Sequence, residues 1–187
     1  RVFGNSGSYR GSIRIGRPVL ELTEEGPYGF NLNVNIHHNV IKQNGGMDGA
    51  GGDLSINMGT DGYNVAENLV CGNFTLGDGG GIGHFGLSTG GVIANNRILF
   101  NQSFNQGQTV SGGGVFVGGE PAVVGELTQG AGHVAINGNL IKGNQAGAGH
   151  GGGARVFVGA LVAVVHRADD AHRRVDQHGS PDQPDGA

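Results

Sequence analysis

A short motif of apolar and polar positions repeats along the chain. It reads Asn, apolar, apolar, any, any, Asn, and it occurs four times, with Arg97 as the one polar residue at an apolar position. A β-branched residue precedes each first Asn by three positions, and a glycine cluster with a new alternating apolar run follows each second Asn. This alternation predicts two or three short β-strands in each copy and no helix. The asparagine pairs of the four copies are Asn39 and Asn44, Asn68 and Asn73, Asn96 and Asn101, and Asn139 and Asn144.

The copies recur every 28 or 29 residues, which is the spacing between Asn44, Asn73 and Asn101. Asn5 belongs to an earlier partial copy, and insertions near 17–33 and 117–133 lengthen two copies. A unit of this size cannot bury its own apolar face, so the copies are expected to stack. Stacking predicts two interior rows, which are Ile36, Val65, Ile93 and Ile136, and Ile41, Val70, Ile98 and Ile141.

Stacking also places equivalent asparagines above one another. Each side-chain amide is then expected to hydrogen-bond the next one, as in the Asn ladders of in-register strands. Asn tolerates the left-handed backbone angles of a corner, and the glycine clusters allow one coil to approach the next closely. The predicted fold is all-β, a parallel β-helix of four to five coils over residues 1–158 that is roughly 20 to 25 Å long.

Composition taken alone suggests a different class of protein. The chain has 187 residues with 41 Gly and 5 Pro, a bias at the edge of that of disordered proteins. The regular placement of the glycines removes this interpretation for the repeat region. The abundance of Gly and Asn argues against a helical bundle, and the absence of a strict Gly-X-Y triplet excludes collagen.

Charge and cysteine content exclude several function classes. The net charge is −4, and the 11 Lys and Arg residues are scattered, so the sequence has no electrostatic footprint for nucleic acid. Cys71 is the lone cysteine, which excludes an internal disulfide and a multi-cysteine metal site. No apolar run approaches the roughly 20 residues of a membrane span, so none is expected in this segment.

The repeat resembles that of right-handed parallel β-helix proteins of the pectate-lyase-like superfamily. The resemblance is carried by Asn-Leu-Ile-Lys-Gly-Asn at 139–144 and by Gly-Gly-Gly-Ala at 151–154. The repeat is also similar to those of exported bacterial β-helix proteins and of polymorphic outer-membrane proteins. The resemblance covers about residues 1–158 and implies a right-handed helix in a secreted or cell-surface bacterial protein. It implies little about function, because this scaffold hosts lyases, hydrolases, adhesins and passive stalks.

Residues 159–187 depart from the repeat. From residue 160 onward the chain has no Asn, two Gly and eight charged residues. Three interpretations stay open for this tail. It is a disordered terminus with little to bury, a polar cap of the kind that solenoids need, or the aberrant end of a fragment of a longer protein.

His150 is a candidate catalytic residue because it lies in a Gly-His-Gly motif. Polygalacturonases, which share the β-helix scaffold, carry the same motif. Their chemistry also needs carboxylates that flank the glycosidic bond, and the only Asp pair here, Asp169-Asp170, lies downstream in the tail. An exposed histidine at a repeat corner is the alternative interpretation.

An acidic set offers candidates for a Ca²⁺ site. Pectate lyases hold Ca²⁺ with several carboxylates, and this hard cation needs converging oxygen ligands. Asp48 and Asp78 follow their column asparagines by four and five residues, so stacking is expected to bring them together, and both are also catalytic candidates. Asp beside Gly is equally ordinary turn chemistry, and no cofactor other than Ca²⁺ is indicated. The metal candidates are Asp48, Asp53 and Asp78, and Asp61 completes the acidic set.

The histidines do not suggest a metal site. His37 and His38, taken as neighbours on one strand, are expected to point to opposite faces. Two glycosylation sequons begin at Asn73 and Asn101, but both asparagines already have an expected place in the ladder.

The expected function is therefore non-enzymatic. We expect a structural or interaction scaffold, with a polysaccharide or a cell-surface molecule as its partner, and with binding on the flat flank of the solenoid or its inserted loops. The alternative is a polysaccharide lyase or glycoside hydrolase of the pectate-lyase-like superfamily.

Overall fold

The structure, a computed structural model, describes residues 1–7, 11–16, 31–46, 53–119, 130–147 and 149–157, and the backbone of the strand at 161–165. This part of the chain contains strands and no helix, as the sequence predicts. The 22 strands are, in chain order, β1 (Val2–Phe3), β2 (Ser6–Gly7), β3 (Ile13–Ile15), β4 (Asn31–Leu32), β5 (Asn35–His37), β6 (Val40–Lys42), β7 (Gly45–Gly46), β8 (Leu54–Asn57), β9 (Thr60–Asp61), β10 (Asn64–Ala66), β11 (Leu69–Cys71), β12 (Phe74–Thr75), β13 (Ile82–Phe85), β14 (Gly91–Ala94), β15 (Arg97–Leu99), β16 (Gln102–Ser103), β17 (Val115–Gly118), β18 (His133–Asn137), β19 (Leu140–Lys142), β20 (Gln145–Ala146), β21 (Ala154–Phe157) and β22 (Leu161–Val165).

Equivalent strands of successive coils pair in parallel and form four sheets of five strands and one pair. The chain visits the sheets in the same order in each coil, which is the arrangement expected of a parallel β-solenoid. The first sheet contains β1, β6, β11, β15 and β19; the second β2, β7, β12, β16 and β20; the third β3, β8, β13, β17 and β21; the fourth β5, β10, β14, β18 and β22; and β4 pairs with β9.

The two interior rows predicted from the repeat are confirmed by the strand register. In the first sheet Val70 pairs with Ile41 on one side and Ile98 on the other, and all three are fully buried. In the fourth sheet Val65 pairs with Ile36 and Ile93 in the same way. The third sheet adds further rows of buried aliphatic side chains, so the core is a set of stacked columns.

The second sheet was not foreseen from the apolar pattern. Its strands are only two residues long, and their inward positions hold small residues such as Gly46, Thr75 and Ser103, all buried. Such strands carry no hydrophobic alternation, so the sequence predicted two or three strands per copy where each complete coil contributes four to the main sheets.

Asparagine side chains form two continuous columns at the corners of the stack. Asn73 donates from its backbone N and from its Nδ2 to the Oδ1 of Asn101, at 3.0 and 2.9 Å, and Nδ2 also reaches the carbonyl of Ile41. The same pattern repeats in each coil. One column joins Asn5, Asn44, Asn73, Asn101 and Asn144, and the other joins Asn39, Asn68, Asn96 and Asn139.

The residue before each ladder asparagine turns the corner with a positive φ. A side chain in this left-handed region costs about 1–2 kcal/mol, so several corners use glycine. Others carry a full side chain at φ near +55°, among them His38, Glu67 and Phe100. The corner residues are Gly4, Gln43, Gly72, Phe100 and Gly143 before one column, and His38, Glu67, Asn95 and Gly138 before the other.

The strand β22 lies beyond the predicted end of the repeat at residue 158. It pairs in parallel with β18 over five residues, although the sequence analysis assigns it to a non-repeat tail. The apolar run at 161–165 is a strand pattern, but the sequence analysis ended the repeat before it because the asparagine motif stops at Asn144. Residues 166–187 and most of the predicted insertions, 17–30 and 120–129, lie outside the described residues.

We expect the buried ladder to contribute far more stability than an exposed asparagine pair. Replacing Asn101 by Ala leaves the Asn73 N–H and the Val70 carbonyl without their side-chain partners inside the stack. The free energy of unfolding, measured from urea titrations, should fall by at least about 2 kcal/mol.

The matched control is Asn64→Ala, which removes an exposed amide contact with Asn35 across the fourth sheet. This surface substitution should cost no more than about 0.5 kcal/mol. Equal losses in the two variants would contradict a special role for the buried ladder.

Candidate functional site

Asp53 is joined to the asparagine ladder and closed to solvent. It lies directly before β8, in register with Gly81 of the next coil, and is 1% exposed. One carboxylate oxygen accepts a hydrogen bond from Asn44 Nδ2 at 2.5 Å, and the other accepts one from the Ser12 hydroxyl. Burial raises the pKa of Asp53, although the bonds from Ser12 and Asn44 oppose the shift. This environment points to a structural role for Asp53.

Glycine stands at the equivalent position of the next coil. A Cβ atom at Gly81 would lie 2.6 Å from the Gly114 carbonyl oxygen and 3.0 Å from Asn101 Nδ2. At this position the backbone of the neighbouring coil and its ladder asparagine leave no room for a side chain.

Asp78 and His150, two of the predicted candidates, come together around Ser111. The Ser111 backbone N–H donates to Asp78 Oδ1 at 2.7 Å, and the Ser111 hydroxyl oxygen accepts from the His150 backbone N–H at 3.3 Å. Arg155 Nη1 donates to the same hydroxyl at 2.5 Å. Burial raises the pKa of Asp78, while the Ser111 bond and the Arg155 charge lower it.

The Ser111 cluster joins coils rather than assembling a nucleophile. Ser111 is only 2% exposed, and His150 contributes its backbone amide. An activated serine needs a base within hydrogen-bond reach of its hydroxyl. Among the described residues, no imidazole nitrogen or carboxylate is hydrogen-bonded to the Ser111 hydroxyl.

The acidic candidates do not form a common site in the described part of the chain. Asp53 and Asp78 belong to separate hydrogen-bond sets, and Asp61 accepts from the Thr89 backbone N–H at 2.7 Å. No group of three or more His, Cys, Asp or Glu side chains there is arranged to hold a metal ion. Asp48 lies outside the described residues, so its expected approach to Asp78 stays a prediction.

Tyr63 and His84 form a buried pair that the sequence analysis missed. The Tyr63 hydroxyl is 2.9 Å from His84 Nδ1, and His84 Nε2 is 2.8 Å from the Gly86 carbonyl oxygen. A carbonyl can only accept, so Nε2 carries the proton and Nδ1 of the neutral ring accepts from the tyrosine. Burial lowers the pKa of His84 to about 4 and raises the pKa of Tyr63.

The sequence contains a signal for this pair. His84 stands in register with Ile56 and Val117 on the third sheet, at an inward position of the alternating pattern. A histidine at such a position must find a polar partner, because burial without a hydrogen bond is costly.

The arrangement of His37 and His38 contradicts the prediction that their rings point to opposite faces. β5 ends at His37, and His38 occupies a corner with φ of +57°. The side-chain alternation of a strand applies only to extended backbone. The two Nδ1 atoms therefore lie 2.8 Å apart, and His38 Nε2 lies 2.5 Å from a carboxylate oxygen of Glu67.

The outer face of the first sheet combines apolar and cationic side chains. Its middle positions point into the core, so the flanking positions of each strand point outward. Phe3 and Leu140 on this face are 67% and 49% exposed, and Phe100 at its border is 60% exposed. Neither outward row contains an acidic residue. The rows are Phe3, Lys42, Cys71, Leu99 and Lys142, and Val40, Leu69, Arg97 and Leu140.

The two sequon asparagines are inside the protein. Asn73 and Asn101 are 1% and 0% exposed, and both amides are bonded within the ladder. The folded protein therefore does not present either amide for glycosylation.

Comparison of the chain with protein-family models, curated proteins and solved structures produced no match. The likeness to the pectate-lyase-like superfamily rests on the repeat alone, and the structure shows parallel, in-register strands that are compatible with a parallel β-solenoid. Among the described residues there is no helical segment with the length and hydrophobicity of a membrane span.

We expect the Tyr63–His84 pair to make the fold sensitive to acid. The pKa of His84 is about 4 in the folded chain, against about 6.5 for an unfolded histidine. The unfolded state therefore binds more protons between these values, so stability falls as the pH drops from 6.5 to 4. The loss from this group approaches about 3 kcal/mol at the acid end.

The control is the double variant Tyr63→Phe, His84→Ile, which removes both polar groups and copies the Ile56 of the neighbouring coil. The pKa values of Asp53 and Asp78 are raised, so their contribution to stability changes with pH in the opposite direction to that of His84. Both aspartates are present in the native protein and in the variant, so the difference in stability between the two proteins isolates His84. The free energy of unfolding, measured by urea titrations from pH 7 to 4, should depend less on pH in the variant than in the native protein. An equal pH dependence in the two proteins would refute the role given to His84.

Proposed function

We propose that this chain is part of a right-handed parallel β-helix protein that is exported or displayed at a cell surface. In this proposal it serves as a scaffold that binds an acidic polysaccharide. The right-handed sense is supported by the rule that crossovers between parallel strands of one sheet are right-handed in about 98% of cases. The five-stranded sheets support a helix of four to five coils.

The observation that carries the binding proposal is the outer face of the first sheet. Lys42, Arg97 and Lys142 share this face with the exposed side chains of Phe3 and Leu140, although the chain as a whole has a net charge of −4. Sugar rings have apolar faces that pack on such side chains, and their carboxylates pair with Lys and Arg. A surface of five strands spans about 19 Å, enough for several successive sugars.

A scaffold is favoured over an enzyme by the surroundings of the polar side chains inside the stack. One carboxylate oxygen of Asp53 accepts from the ladder residue Asn44 and the other from Ser12, Asp78 bonds the backbone of Ser111, and the His84 ring is buried. Asp53 and His84 are closed to solvent, so neither side chain is placed to meet a substrate.

The alternative, a polysaccharide lyase or hydrolase, is supported by one feature. Asp78 is half-buried, and this burial raises its pKa, although the nearby positive charge of Arg155 acts in the opposite direction. Titratable groups with perturbed pKa values cluster at functional sites, and His150 is adjacent through Ser111.

Binding of polygalacturonate, an acidic polysaccharide, tests the scaffold proposal. The affinity of the full chain, measured by calorimetry, should fall at least about tenfold in the variant Lys42→Gln, Arg97→Gln, Lys142→Gln and should weaken as salt rises. Arg14→Gln, at an exposed position of the third sheet, is the control and should bind as the native protein does. Equal affinity in the triple variant would remove this face from the proposal.

The same samples separate the enzyme from the scaffold. Incubation of polygalacturonate with and without Ca²⁺ should release no shortened products from the native chain. Ca²⁺-dependent products that disappear in Asp48→Ala or Asp78→Ala would establish the enzymatic alternative.

A further inference from the structure

The corner occupied by His37, His38 and Glu67 holds an unusual chain of contacts. The rings of His37 and His38 are nearly perpendicular, with centroids 5.1 Å apart and Nδ1 atoms 2.8 Å apart. The distance between the ring centroids exceeds the distance between the Nδ1 atoms by about the width of one imidazole ring, that is, by one ring radius on each side. Both Nδ1 atoms therefore lie close to the line that joins the two centroids and face each other. On the far side of His38, Nε2 lies 2.5 Å from Glu67 Oε2.

The protonation pattern of this chain follows from its acceptors. A carboxylate accepts only, so the Nε2 of His38 carries a proton toward Glu67. In the neutral ring the Nδ1 of His38 then has a free lone pair, and His37 supplies the proton between the two Nδ1 atoms. A change of His37 to the tautomer that carries its proton on Nε2 leaves a lone pair on each of the two Nδ1 atoms, with both rings neutral.

We propose that His37 and His38 bind a divalent transition-metal ion of the Cu²⁺ and Ni²⁺ type through their Nδ1 atoms, with Glu67 orienting His38. Two nitrogens about 2.0–2.1 Å from a cation are about 2.9 Å apart when they occupy adjacent positions of a square-planar or octahedral site. The observed 2.8 Å matches that separation. The rings face each other along the Nδ1–Nδ1 line, so both must tilt until their lone pairs meet at the ion, and the proton of His37 then sits on its Nε2, which keeps both rings neutral.

The surroundings of the pair fit a metal site with open positions. The side chains of His38 and Glu67 are 69% and 52% exposed, so water can reach the pair and complete the coordination. The His37 backbone is held by a bond from Asn39 Nδ2 to its carbonyl at 2.8 Å. A carboxylate that accepts the second N–H of a ligating histidine fixes its tautomer and ring orientation, and Glu67 occupies that position beside His38.

Neighbouring coils supply a variant that removes the site and keeps the fold. His37 stands in register with Ala66, and His38 occupies the corner position that Asn95 fills two coils further on. The variant His37→Ala, His38→Asn therefore uses residues that the same positions already carry. Its circular dichroism spectrum and urea midpoint should match those of the native chain.

Calorimetric titration of the full chain with Ni²⁺, and then with Cu²⁺, tests the proposal. The native protein should show a binding event that weakens at least about tenfold in His37→Ala, His38→Asn. His133→Ala, which removes another exposed histidine, is the control and should retain the event. Superimposable titrations of the native chain and the double variant would overturn the proposal.

Glu67→Gln tests the orienting role separately. It preserves size but replaces the anionic acceptor, and loss of such a partner costs about 10–100-fold in metal affinity. Ca²⁺ should not compete, because this ion prefers oxygen ligands. An unchanged affinity in Glu67→Gln, or displacement of Ni²⁺ by Ca²⁺ at equal concentration, would contradict the proposed site.

Discussion

The structure depends on the hydrogen bonds that asparagine side chains make at the corners of the stack. A chain that bends out of one strand and into the next leaves backbone groups inside the protein without a ladder partner, and such groups are costly when unpaired. Asn101 meets this need in one coil by accepting from the N–H and the amide of Asn73 and by donating to the carbonyl of Val70. The repeat length, the in-register strands and the glycines that approach the columns are all consequences of keeping these amides aligned.

This constraint also explains why the buried polar side chains named above are already engaged in hydrogen bonds within the stack. Asp53 bonds the ladder, Asp78 bonds the backbone of Ser111, and the His84 ring is closed between Tyr63 and Gly86. Polar groups inside a closely packed stack must be satisfied where they stand. The two surfaces proposed for binding, the outer face of the first sheet and the His37–His38 corner, therefore lie on the outside, where side chains are not part of the ladder.

Particular residues show how far prediction from the sequence reached. The columns of asparagine and the rows of Ile41, Val70 and Ile98 follow from spacing alone, because equivalent residues of a stacked repeat must coincide. The second sheet could not be predicted, since two-residue strands of Gly, Thr and Ser lack an apolar pattern. The contact between Asp78 and Ser111 does follow the repeat, because each residue stands directly before a glycine triplet and Ile82 is in register with Val115, but the sequence analysis did not use this equivalence.

The sequence by itself determined the period, the parallel stacking and the identity of the ladder and core columns, because these depend only on which residues recur at a fixed interval. The tertiary structure decided which polar side chains meet. The sequence predicts that the rings of His37 and His38 point to opposite faces of a strand. The positive φ of His38 instead turns its ring toward His37 and toward Glu67 in the adjacent coil. The pairing of His38 with Glu67 follows the repeat, because each residue precedes the first Asn of its copy, whereas the contact between His37 and His38 depends on a backbone angle that the pattern of the chain does not contain.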